Sequence, residues 1–242
     1  MVGQTTRAIA GPLIAAAIAS LVLASPAAAQ IASQTPPDAG TACPDRPTLD
    51  EAQPERDTML TLPDDWAGFA DMSMHWLEIR TQLGTVLCVE TTWAIDADNF
   101  EQFDGRFLGF GWWGYEAGGY MMIDTAATGS VTDIGAKPVF SPDRGYFAAV
   151  QFSDAGWGGL EGFAVWRTYA GGMSPVHVDT QLPTMADWRI DRWEEDGCIH
   201  LSGIPYERIG DWTNLQQYER DRYVSRISDG WKLSPGAQCG RS

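Results

Sequence analysis

Two adjacent tryptophans, a tyrosine and a glutamate stand among four glycines in GWWGYEAGG, Gly111 to Gly119. An aromatic face is apolar and negatively polarised, so Trp112, Trp113 and Tyr115 beside Glu116 suit stacking on sugar rings or gripping a cationic group. At a shift of 45 residues, Gly156, Trp157, Gly159 and Glu161 repeat Gly111, Trp112, Gly114 and Glu116. After a short slip, Gly119, Tyr120 and Met122 match Gly162, Phe163 and Val165. Two glutamates at matching positions also raise glycoside hydrolysis, which needs an acid and a base or nucleophile about 5 to 9 Å apart. Glu116 and Glu161 are the candidate catalytic pair. The competing reading is structural: the tryptophans fold down between sheets, and the glycines merely let hairpins turn tightly.

Little else in the chain points to chemistry. The stretch DADNFEQFDG, Asp96 to Gly105, clusters oxygen ligands but departs from a calcium loop. Phe100 and Glu101 take the places of a ligand and the turning glycine, and Phe107 that of the closing glutamate. His75, His177 and His200 are far apart, with no ligand at i+3 or i+4, and no C-x-x-C pair exists, so neither metal nor cofactor is implied. Serine-hydrolase, phosphate-loop and dinucleotide signatures are absent.

Arg7, the apolar stretch Leu13 to Ala24 and the small residues before Gln30 form an export signal, too short for a spanning helix. Residues 1–29 are therefore read as a cleaved signal peptide and the protein as periplasmic or secreted. Cleavage leaves 15 basic against 32 acidic residues, a net charge of −17. Phosphate backbones and anionic membranes repel such a chain, which excludes nucleic acid as a partner. Four cysteines in an oxidising compartment imply two disulfides. Proximity favours Cys43 with Cys88 and Cys198 with Cys239, while the nested pairing, Cys43 with Cys239 and Cys88 with Cys198, stays open.

The elements that must position the aromatic loops are strands. Residues 30–57 are rich in proline and small polar residues and read as a linker; residues 58–242 form one domain. Pro63 to Leu83 suggests a short helix running into a strand, and Gly210 to Tyr223 a helix or a long surface loop. Between them TVLCVETTWAI, RFLGFGWW, GGYMMIDT, GYFAAVQF, EGFAVWRTY and GCIHLSGI are β-branched and aromatic runs punctuated at hairpin spacing. The fold class is all-β, an antiparallel meander, with a β-sandwich as the alternative.

The repeat length of about 45 is that of a four-stranded propeller blade. The text between the copies resembles the blades of bacterial β-propellers of the TolB and WD-repeat-like kind. Asp124, Thr128 and Gly129 match a hairpin that closes one blade; Ser141, Pro142, Asp143, Tyr146 and Ala148 match the hairpin that opens the next. Arg144 and Gly145 reverse the family order, and Gly145 is expected to supply the positive φ of that turn. A weaker third copy runs from Cys198 to Pro235. The resemblance implies a propeller-like domain of few blades, on which equivalent loops emerge along one rim. Its partner is a carbohydrate or another envelope or extracellular protein.

Overall fold

The computed structural model describes residues 33–34, 43–44, 60–91, 99–114, 117–152, 159–210, 214–227 and 230–234. The expected signal peptide lies outside them. Four antiparallel sheets follow one another along the chain, and none closes into a barrel. After a 3-10 turn at Asp64–Trp66, the first sheet contains β2 (Ala70–Met72), β3 (Trp76–Arg80) and β4 (Val86–Glu90). The second contains β5 (Glu101–Phe103), β6 (Phe107–Gly114), β7 (Ala117–Asp124) and β8 (Ser130–Asp133), with β1 (Ser33–Gln34) added beside β8. The third is β9 (Val139–Phe140), β10 (Tyr146–Gln151), β11 (Gly162–Tyr169) and β12 (Gly172–Asp179). The last is β13 (Met185–Trp193), β14 (Ile199–Pro205), β15 (Arg220–Ile227) and β16 (Gly230–Ser234).

Strand alternation explains why the sheets stack. Leu108, Phe110 and Ile123 face the first sheet and join Leu77, Ile79, Leu87 and Val89 in one core. Phe107, Tyr120 and Met122, on the opposite face, meet Phe147, Ala149, Ala164 and Trp166 of the third sheet. Ala148, Val150, Phe163 and Val165 in turn meet Trp188, Trp193, Ile199, Leu201 and Trp231 of the last. The two middle sheets are buried on both faces, so β10 and β11 read as nearly continuous apolar runs. The β-sandwich alternative is thus replaced by a four-layer stack. Among the described residues, no core cluster joins the last sheet to the first.

The sheets are co-oriented, because their short turns meet at one end. Gln82 N–H donates to Thr125 O at 2.9 Å and Leu83 N–H to Ala127 O at 3.0 Å. Arg106 Nη2 reaches Gly172 O at 2.7 Å, and Arg226 Nη2 reaches Tyr146 Oη at 3.1 Å. This is the stapled end; the β6–β7, β10–β11 and β14–β15 connections lie at the other, the loop end.

The described part of Gly210 to Tyr223 is a 3-10 turn at Leu215–Tyr218 followed directly by β15, closer to the loop reading than to the helix, and no α-helix occurs among the described residues. At Pro63 to Leu83 the short helix that runs into a strand is a 3-10 helix, Asp64–Trp66, ahead of β2 and β3. One local expectation needs correction. In the β9–β10 hairpin it is Arg144, not Gly145, that adopts positive φ, at 58°. Asp143 Oδ1 accepts from Ser141 Oγ at 2.7 Å and from Gly145 N–H at 3.0 Å, which fixes the turn around a non-glycine residue.

Cys43 is bonded to Cys88 of β4, as proximity favours, and the nested pairing is excluded. Trp76 Nε1 donates to Pro44 O at 2.6 Å beside that bond. Cys198 is also disulfide-bonded, and Cys239 lies outside the described residues.

Candidate binding end

The β6–β7 hairpin carries the GWWGYEAGG stretch with Trp113 opposite Gly118 and Trp112 opposite Gly119. Adjacent strand residues face opposite ways, so the two tryptophans part company. Trp112 packs on the core between the first and second sheets, and its Nε1 donates to Asp133 Oδ2 at 2.8 Å. Trp113 is 62% exposed. A Cβ on Gly118 would come within 2.9 Å of the Trp113 ring, so the ring rests on a bare backbone. Tyr115, Glu116 and Trp157 lie outside the described residues. Glu161 is half-buried immediately before β11, so the described residues define no Glu116–Glu161 spacing.

Among the described residues the repeat holds for the strands. Tyr120 with Met122, and Phe163 with Val165, each face the following sheet. Gly111 and Trp112 lie inside β6, whereas the equivalent strand β10 ends at Gln151, before Gly156.

Beneath Trp113 the second and third sheets are tied together. Gln151 Nε2 donates to Gly118 O at 2.7 Å, and the next residue, Phe152, is 40% exposed. Asp133 accepts from Trp112 Nε1, from Gly135 N–H at 2.9 Å and from Tyr120 N–H at 3.3 Å. A Cβ on Gly119 would fall 2.7 Å from its carboxylate oxygens, and one on Gly159 within 1.9 Å of its Cγ. Burial pushes the Asp133 carboxyl above its usual 3.8, and the three N–H donors pull it part of the way back. Burial likewise raises the Tyr120 phenol, helped by the Glu101 carboxylate it hydrogen-bonds.

Among the described residues, three of the four exposed aromatic side chains, Trp113, Phe152 and Tyr206, lie at the loop end, and the fourth, Tyr169, at the stapled end. Each sheet exposes one large apolar residue at this end: Met74, Trp113, Phe152 and Tyr206. Phe152, Gln151 and Tyr206 escape sequence reasoning because no repeat or motif marks them; only the topology brings them to one end.

A cleft of about 480 Å³ lies elsewhere, against Phe69, Glu78, Arg80 and Val86 of the first sheet. Among the described residues no group of His, Cys, Asp or Glu side chains could hold a metal ion, and no helix is long and apolar enough to cross a membrane. No protein-family model, curated protein or solved structure matches the chain.

Proposed function

We propose that this is an exported, propeller-like protein that binds a ligand through its loop end and carries out no chemistry of its own. The observation that carries the reading is Trp113, an exposed indole laid on Gly118, one hydrogen bond from the Gln151–Phe152 step of the next sheet. Exposed aromatic area from Trp113, Phe152 and Tyr206 at one end, against Tyr169 at the other, is what a stacking surface requires. Export is supported by the amino-terminal segment and by a disulfide, which persists in oxidising compartments. The test is retention of the parent and of Trp113→Ala on immobilised polysaccharides and envelope proteins. The reading predicts loss of about tenfold or more in binding, since a central aromatic anchor is worth on the order of 1–2 kcal/mol. A variant that retains everything the parent retained contradicts it. Intact-mass analysis of the exported protein should find Gln30 as its first residue.

A further inference from the structure

With acids in twofold excess, every cation in this chain could find a carboxylate, and several do. Arg106 pairs with Asp124, Lys137 with Glu101, Arg144 with Asp104, Arg189 with Glu219, and Arg192 with Glu194. Arg220 and Arg222 do not: among the described residues their guanidinium groups bond only to the main-chain carbonyls of Glu219 and Asp221, at 2.9 and 2.8 Å. Arg208 is likewise without a carboxylate and lies over the Tyr218 ring, 5.2 Å from its centroid.

These three arginines gather at the loop end of the last sheet. Arg208 sits in the turn after β14, and Arg220 opens β15. Arg220 and Arg222 share one face of the strand, about 7 Å apart, from twice the strand rise. Their register partners are Gly203 and Leu201, and the Trp188 ring lies across Gly203. Arg220 is exposed and Arg222 half-buried. Two like charges on one strand face attract an anion that can reach both.

Resting on the proposed binding function, we infer that Arg220 and Arg222, flanked by Arg208, form the carboxylate-binding part of the loop end, and that its ligand is an acidic oligosaccharide. The aromatic surface takes the apolar faces of sugar rings, and guanidinium groups take planar carboxylates in two-point pairs. The net charge of −16 opposes an anion at long range. Screening cuts that repulsion beyond about 8 Å at physiological salt, whereas the arginine pairs act at contact distance.

The experiment is calorimetric titration with a hexameric oligouronate and with its fully methyl-esterified form, which keeps the rings and removes the charge. The parent is expected to bind the acid at least tenfold more tightly than the ester. Arg220→Gln with Arg222→Gln abolishes that preference by bringing the affinity for the acid down to that for the ester; Trp113→Ala weakens both forms. If the double variant melts early, Arg220→Gln alone, at an exposed position, makes the same comparison. Failure of the parent to bind the acid, equal binding of acid and ester, or a preference that survives the arginine substitutions overturns the inference. Ester binding that depends on Trp113 without any preference for the acid overturns the inference alone and leaves the proposed function standing. Binding of both forms that ignores Trp113→Ala removes the proposed function itself.

Discussion

Trp112 and Trp113 occupy one hairpin and have different fates because the strand turns them to opposite faces. Trp112→Ala should cost about 2–4 kcal/mol, since a packed indole and its hydrogen bond to Asp133 are lost together. Trp113→Ala should cost under about 1 kcal/mol, as exposed substitutions do. Chemical denaturation of both variants checks the split, and equal losses would refute it. In the sequence both indoles read as one stacking surface, whereas strand residues alternate and the hairpin divides them. Which indole is buried was not legible, since it depends on the sheet in front of each face. Asp133 also carries a pH signature. A carboxyl raised by burial binds its proton more tightly in the fold, so its contribution is fully present below the usual 3.8 and is lost as pH rises through the folded value. Parent stability relative to Asp133→Asn should therefore grow as pH falls from neutral toward that range. A gap that narrows on acidification would show that burial does not govern this group.

At the scale of elements, the hairpins of the stapled end hold the sheets together. Asp124 is fully buried and takes both Arg106 Nε and Nη2 at 2.7 Å, while Arg106 reaches across to Gly172 of the third sheet. Asp124→Ala leaves that guanidinium uncompensated and should destabilise by about 3 kcal/mol or more. Loss of less than about 1 kcal/mol in a denaturant titration would mean that the pair is not what staples this end. The strands were legible because β-branched and aromatic runs alternate with turn residues. The choice between helix and loop over Gly210 to Tyr223 was not, since the period set by Trp212, Leu215 and Tyr218 is shared by a 3-10 turn leading into a strand. The turn at Arg144 shows a similar limit. Its backbone hydrogen bonds, with Thr168 Oγ1 donating to Arg144 O at 2.8 Å, impose positive φ where residue preference favours the neighbouring glycine.

For the whole molecule, four sheets in chain order give each interior sheet two apolar faces and leave the ends of the strands to differ. The disulfide ties the leading segment to the first sheet across 45 residues. A loop of that size contributes about 3–4 kcal/mol through the unfolded chain, so reduction should lower the melting temperature without releasing metal. An unchanged transition after reduction would contradict that. The all-β meander was readable from periodicity, but the excess of exposed aromatic residues at one end was not, because it follows from strand direction and not from spacing. That excess is the basis of the functional account, and oxidative footprinting tests it most directly. With a ligand retained by the parent bound, Trp113, Phe152 and Tyr206 should be protected from hydroxyl radicals, while Leu83 and Tyr169 at the stapled end react as before. Protection of Leu83 and Tyr169, with Trp113 still reactive, would contradict the account.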